Sequence, residues 1–180
     1  MEDVFGGLAG GPGDGAGANA PSVAELEELL DGAALWGLEL DPKFRVLAAT
    51  FEPLPARYPW GDADDRRVQL LCFPVSTILG SLRRESDHGR ELLAFTEEHL
   101  VDVVGLFDGA AVTGPLFGRP EPRPGAWGPR FSLEGRSTAP DGTSRTLTVS
   151  LAHEDLALDV FARFDDLELK APDGTDLMLP

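Results

Sequence analysis

The residues able to do chemistry are few and scattered along the chain. There are three histidines, His88, His99 and His153, and none has the i, i+4 His partner and intervening Glu of a helical zinc protease. His99, Asp102, His153 and Asp155 have the donor chemistry of a metal site, because imidazole and carboxylate are good ligands. Their separation in sequence neither supports nor forbids convergence, and the plainer reading puts His99 and Asp102 on a solvated helix flank and His153 in a turn. Asp62-Ala63-Asp64-Asp65 opens like a calcium loop, yet the fifth position is Arg66 and the twelfth is Phe73, so the ligand set fails and a solvated acidic turn is expected. The pairs Glu97-Glu98 and Asp165-Asp166 are adjacent residues, which point to opposite faces of a strand and cannot work on one substrate. Ser76 and Ser81 lack the Gly-x-Ser-x-Gly elbow of a hydrolase nucleophile. The single cysteine, Cys72, lies in Leu70-Leu71-Cys72-Phe73, where a thiol behaves as a small buried hydrophobe. No catalytic residue, cofactor site or metal site is expected, and the enzyme question leans to no.

The charge is more informative than any single residue. The 180 residues hold 15 Lys and Arg against 31 Asp and Glu, a formal net charge of -16. Nucleic-acid backbones and anionic membrane surfaces are repelled by such a chain, whereas a basic protein is attracted. The beginning of the sequence, Met1-Glu2-Asp3, lacks the basic region and apolar run of a secretory signal. No apolar stretch approaches the ~20 residues of a membrane-spanning helix, so a cytoplasmic protein is expected.

Residues 1–20 are rich in Gly and Ala and offer little side-chain area to offset the entropy of ordering, so a flexible tail is expected there. Its Gly10-Gly11-Pro12-Gly13-Asp14-Gly15 string has no P-loop Lys-Ser/Thr to cradle a phosphate. Residues 21–180 are expected to form one β-rich domain. Ser22 and Glu25 have capping-box spacing ahead of Leu26, Leu29 and Leu30, which predicts a short helix ending at Asp31-Gly32. Trp36, Leu38 and Leu40 alternate with Gly37 and Glu39, so Trp36 is expected in the core of a strand that turns at Asp41-Pro42-Lys43 into a second strand, Phe44 to Phe51. Pro53 to Asp65 reads as a surface connection. Arg67 to Phe73 and Ser76 to Arg84 read as separate strands, followed by a polar patch from Glu85 to Arg90.

Thr96 is expected to cap a helix with Glu97 and Glu98 in its first turn, and Leu100, Val103, Val104 and Phe107 follow at i, i+3, i+4 and i+7 as its buried stripe. Pro120-Glu121-Pro122-Arg123-Pro124-Gly125 must be a loop. Beyond it Arg130 to Arg136, Arg145 to Ala152 and Leu156 to Phe164 alternate as strands around turns at Asp141-Gly142 and His153-Glu154-Asp155, and Leu167 and Leu169 extend the last of them. The fold class is mainly β (α+β): an antiparallel β-sandwich or open barrel with one or two short helices.

Trp60 and Trp127 sit in Pro- and Gly-rich connections. Loop aromatics are common interface anchors, although a small β-domain also tucks such rings over the edge of its core. The expected partner-binding residues are Trp60, Asp62, Asp64, Asp65 and Trp127. The stretches His99-Leu100-Val101-Asp102-Val103-Val104-x-x-Phe107-x-Gly109 and Leu158-Asp159-Val160-x-x-x-Phe164-Asp165-Asp166-Leu167, with Pro172-Asp173-Gly174, resemble small uncharacterised β-rich proteins of GC-rich bacteria, some of which look like toxin-immunity proteins. The preference for Arg over Lys and the abundance of Ala, Gly, Pro and Asp suit such a genome. The strong negative field points to a non-enzymatic interaction module steered towards a basic protein partner, and acidity fits an immunity-like role. The alternative is a small-molecule binder or enzyme using a cavity in the β-structure, with Arg83, Arg130 and His153 as its polar groups.

Overall fold

In a computed structural model, residues 21–61, 64–123, 125, 131–134 and 144–179 are described. The tail expected over 1–20, Asp62, Trp127, Arg130 and the Asp141-Gly142 turn lie outside them. The first helix, α1 (Val23–Leu30), starts as its spacing predicts: the Ser22 hydroxyl accepts from the Glu25 amide at 3.3 Å, and the Glu25 carboxylate accepts from the Ser22 amide at 2.8 Å. Such a cap stabilises a helix by about 1 kcal/mol. Leu26, Leu29 and Leu30 are buried, and Gly32, at φ +72°, turns the chain out of the helix.

The hairpin of β1 (Ala34–Asp41) and β2 (Val46–Glu52) follows, with two corrections to the sequence reading. The register slips between Leu35 and Gly37, so Leu35, Leu38 and Leu40 face the core while Trp36 is 48% exposed. A bulge inserts one residue and reverses the alternation on which the buried Trp36 was predicated. The second strand begins at Val46 and not at Phe44, because the Asp41 carboxylate accepts the Lys43 and Phe44 amides at 2.9 and 3.0 Å and draws both residues into the turn. Arg45 closes this turn at φ +57°.

The long strand β3 (Val68–Ser86) spans 19 residues and unites the two strands predicted around Pro74. Proline cannot donate to a ladder, so the sequence breaks there although the strand continues. Along one side, β3 pairs with β7 (Leu156–Lys170), from Gln69 opposite Lys170 to Arg84 opposite Leu156. Along the other side it meets β2 over Val68 to Cys72, then β5 (Phe131–Glu134) over Thr77 to Gly80, then β4 (Gly89–Leu93) over Leu82 to Ser86. In the gap after β2, the Val75 amide donates to the Arg45 carbonyl at 2.7 Å and Arg45 Nε donates to the Val75 carbonyl at 2.6 Å. β4 occupies part of the predicted polar patch, where cross-strand ion pairs such as Arg90 with Glu85 replace apolar alternation. Finally β6 (Arg145–His153) pairs with β7 through the tight Glu154-Asp155 turn.

The described strands thus form one seven-stranded antiparallel sheet in the order β1-β2-β3-β7-β6, with β4 and β5 on β3. The mainly antiparallel fold with two short helices was expected; the sheet is open and does not close into a barrel. An irregular segment, 110–118, spans its two edges instead. At β1 the Leu35 amide donates to the Ala110 carbonyl and the Val112 amide to the Ala33 carbonyl. At β6 the Thr113 amide donates to Ser150, the Gly118 amide to Thr146, and Leu116 accepts from the Thr148 amide. Glu27 of α1 fixes this segment by accepting the Leu116 and Phe117 amides at 3.1 and 2.6 Å. α2 (Leu100–Gly105) packs on β1, and one core runs from Leu26 through Phe51, Phe107 and Phe164 to Leu169.

Candidate functional site

Two of the predicted partner-binding residues are occupied within the chain. The Trp60 indole N–H donates to the Met178 carbonyl at 2.9 Å, its ring meets Tyr58 edge-on at 5.2 Å, and it packs half-buried against the core. It ties the C-terminal segment to the Pro53–Asp65 connection, the capping role open to a loop aromatic. The Asp65 carboxylate accepts from Arg67 Nε and Nη2 at 2.9 and 2.6 Å, and these bonds hold its carboxyl at about 2, below the usual carboxylate range. Asp64 is exposed. No hydrogen bond joins Trp60 to Asp64 or Asp65 among the described residues, and Asp62 and Trp127 lie outside them.

The other reactive side chains are likewise engaged or dispersed. Among the described residues no three His, Cys, Asp or Glu side chains assemble as a metal site. His99 Nδ1 lies 2.8 Å from the Thr96 hydroxyl, and Asp155 pairs with Arg84 at 3.2 Å. The Ser76 hydroxyl donates to the Arg163 carbonyl at 3.2 Å. Ser81 is fully buried, and so is Cys72, whose thiol burial pushes far above its usual range. Arg83, the predicted cationic group of a cavity, forms an ion pair with Asp159 across β3 and β7, and Ser150 donates to the second Asp159 oxygen at 2.6 Å. The guanidinium is therefore already neutralised. His153 lies exposed at the end of β6.

A groove beside α2 has a different character. Leu82 of β3, residues Ala94-Phe95-Thr96 after β4, and His99, Asp102, Val103 and Leu106 line a volume of about 560 Å³. Phe95 is buried as the chain leaves the β3–β4 hairpin, and a 3-10 turn, Glu97–His99, then feeds α2. This corrects the predicted N-cap: no side-chain cap bond is made by Thr96, whose hydroxyl contacts the His99 ring. The apolar stripe does behave as predicted, with Leu100, Val103, Val104 and Phe107 buried. That leaves Val101 50% exposed on the remaining helix surface and Leu106, the residue that caps the helix end, 54% exposed.

The same place is acidic. The sequence from Glu91 to Gly118 contains no Lys or Arg. Among the described residues, Glu97, Glu98, Asp102 and Asp108 make no ion pair. Elsewhere most described cations are matched, as Arg57 to Asp31, Arg66 to Glu52, Arg163 to Glu121 and Lys170 to Glu168 and Asp176, while Lys43, Arg119 and Arg123 make no ion pair among the described residues. The groove therefore combines an apolar lining with uncompensated negative charge. Its signal in the sequence was the long interval without Lys or Arg, together with Leu106 falling off the buried stripe.

Comparison with protein-family models, with curated proteins and with solved structures finds no match to this chain.

Proposed function

We propose that this chain is a non-enzymatic, immunity-like interaction module that works in the cytoplasm by binding a basic protein. The observation that carries the reading is the distribution of its charge. Most described Arg and Lys side chains are committed to partners within the chain, while many exposed acids, those around α2 among them, make no ion pair among the described residues. A negative field of this kind accelerates encounter with a positive surface and disfavours acidic competitors. The partner class that fits is a nuclease-type toxin, since a face that grips a phosphate backbone must be basic.

The test is retention of proteins from native lysate on the immobilised chain at about 50 and about 300 mM NaCl, a range over which exposed charges become strongly screened. Retention of a basic protein that falls with salt, and whose nuclease activity is lost in the complex, is the expected result. A partner that is acidic, or retention indifferent to salt, overturns the reading.

A further inference from the structure

We infer that the groove between α2 and the β3–β4 hairpin is the docking site, and that its occupant is a Lys/Arg-rich segment of the partner bearing apolar side chains. The inference rests on the proposed function and locates it. The lining supplies two requirements at once. Leu106 offers exposed apolar surface over a floor of the buried Leu82, Phe95 and Val103, and Asp102 stands among them with Glu98 in the turn that precedes the helix. The groove is shallow and open to solvent, so it suits one or two side chains of a segment lying across it.

Charge decides between occupants. A second copy of the chain brings another net charge of -16 to an already acidic rim. The chain's own residues 1–20 contain Glu2, Asp3 and Asp14 but no Lys or Arg, so they too meet like charge there. A basic segment alone gains attraction at the rim while its apolar side chains leave water in the groove. Charge contributes the fast, salt-sensitive encounter and the apolar contact the residence time.

The probe is a dye-labelled peptide of about 14 residues with Lys and Leu at helical spacing, compared with a peptide of equal charge in which every Leu is Ser. Binding to the full chain is followed by fluorescence anisotropy at about 150 and about 300 mM NaCl, and amide NMR shifts locate the contact. The Leu peptide is expected to bind at least about tenfold more tightly than the Ser peptide and to shift residues 94–106. Leu106→Ser, at an exposed position, should weaken it about tenfold with an unchanged melting temperature. Asp102→Asn should weaken it by more than Glu39→Gln, which removes an equal charge from an exposed site on β1.

Equal binding of the two peptides, or indifference to Leu106→Ser, overturns the groove while leaving a basic-partner module intact. Failure of both peptides to bind even at low salt counts against the proposed function itself. Sedimentation showing a dimer that Leu106→Ser dissolves assigns the groove to a second copy. Tighter peptide binding after deletion of residues 1–20 assigns it to the tail. Either result overturns the basic segment as its occupant.

Discussion

At the scale of single residues, the most consequential group is Asp159. It holds Arg83 and accepts the Ser150 hydroxyl, with only 17% of the Arg83 side chain and 15% of its own exposed. Among the described residues, buried Arg83 Nε and Thr148 Oγ1 make no hydrogen bond, so little remains to absorb a broken pair. Asp159→Ala should cost about 3 kcal/mol because it strands a desolvated cation, whereas the double replacement Arg83→Met with Asp159→Leu should be near neutral. Urea unfolding with an unchanged slope separates these outcomes. Asp65 gives a prediction in pH. Arg67 lowers its folded pKa to about 2, so its contribution to stability is present above the unfolded value of about 3.9 and is lost as pH falls from there through about 2. Carboxyl NMR should find the depressed midpoint, and Arg67→Ala should return it towards the ordinary aspartate value.

At the scale of elements, legibility followed the regularity of the backbone. The Ser22-Glu25 box stands in the structure as read, and the Leu100–Phe107 stripe is buried as its spacing predicts, although its α-helix runs only from Leu100 to Gly105 behind a 3-10 turn and lacks the Thr96 cap. Trp36 failed because one bulge reverses a period-2 pattern, and the pattern itself carries no mark of the bulge. β3 was divided because Pro74 looks like an end when read alone, while the continuous β7 partner that carries the strand past it lies about ninety residues away in sequence. β4 went unread because it is held by paired charges at the sheet's margin, where apolar alternation is not required. Gly109 tests the join between α2 and β1. Its φ is +69°, and an added Cβ would stand 2.7 Å from the Trp36 ring. Gly109→Ala should therefore cost about 1–2 kcal/mol, a fall in Tm of about 5 °C. The Trp36 emission should change with it, since the indole must leave its contact with Glu52 Oε2, now at 2.9 Å.

For the whole molecule, charge was legible from composition and the candidate site was not. Composition gives a net charge of -16 without structure, but the groove is assembled from Leu82, Phe95 and Leu106, which come together only when the hairpin and helix pack. The predicted loop anchors were chosen for exposure and charge, and Trp60 and Asp65 instead found partners nearby, as loop residues with hydrogen-bonding groups readily do. Self-repulsion of the uncompensated acids predicts a molecule stabilised by screening: Tm should rise between about 20 and about 300 mM NaCl, with sodium sulfate adding more through its exclusion from the protein surface.

The segment 110–118 bears on a hazard that open sheets face. It spends its amides and carbonyls on the start of β1 and on the outer margin of β6, places where an unpaired strand recruits a neighbour. Displacing this one short piece of chain would uncover both margins together, since it bonds to each of them. A protein built to repel its own copies would then present two templates for strand addition, and backbone pairing could gather into fibres the chains that their charge had kept apart.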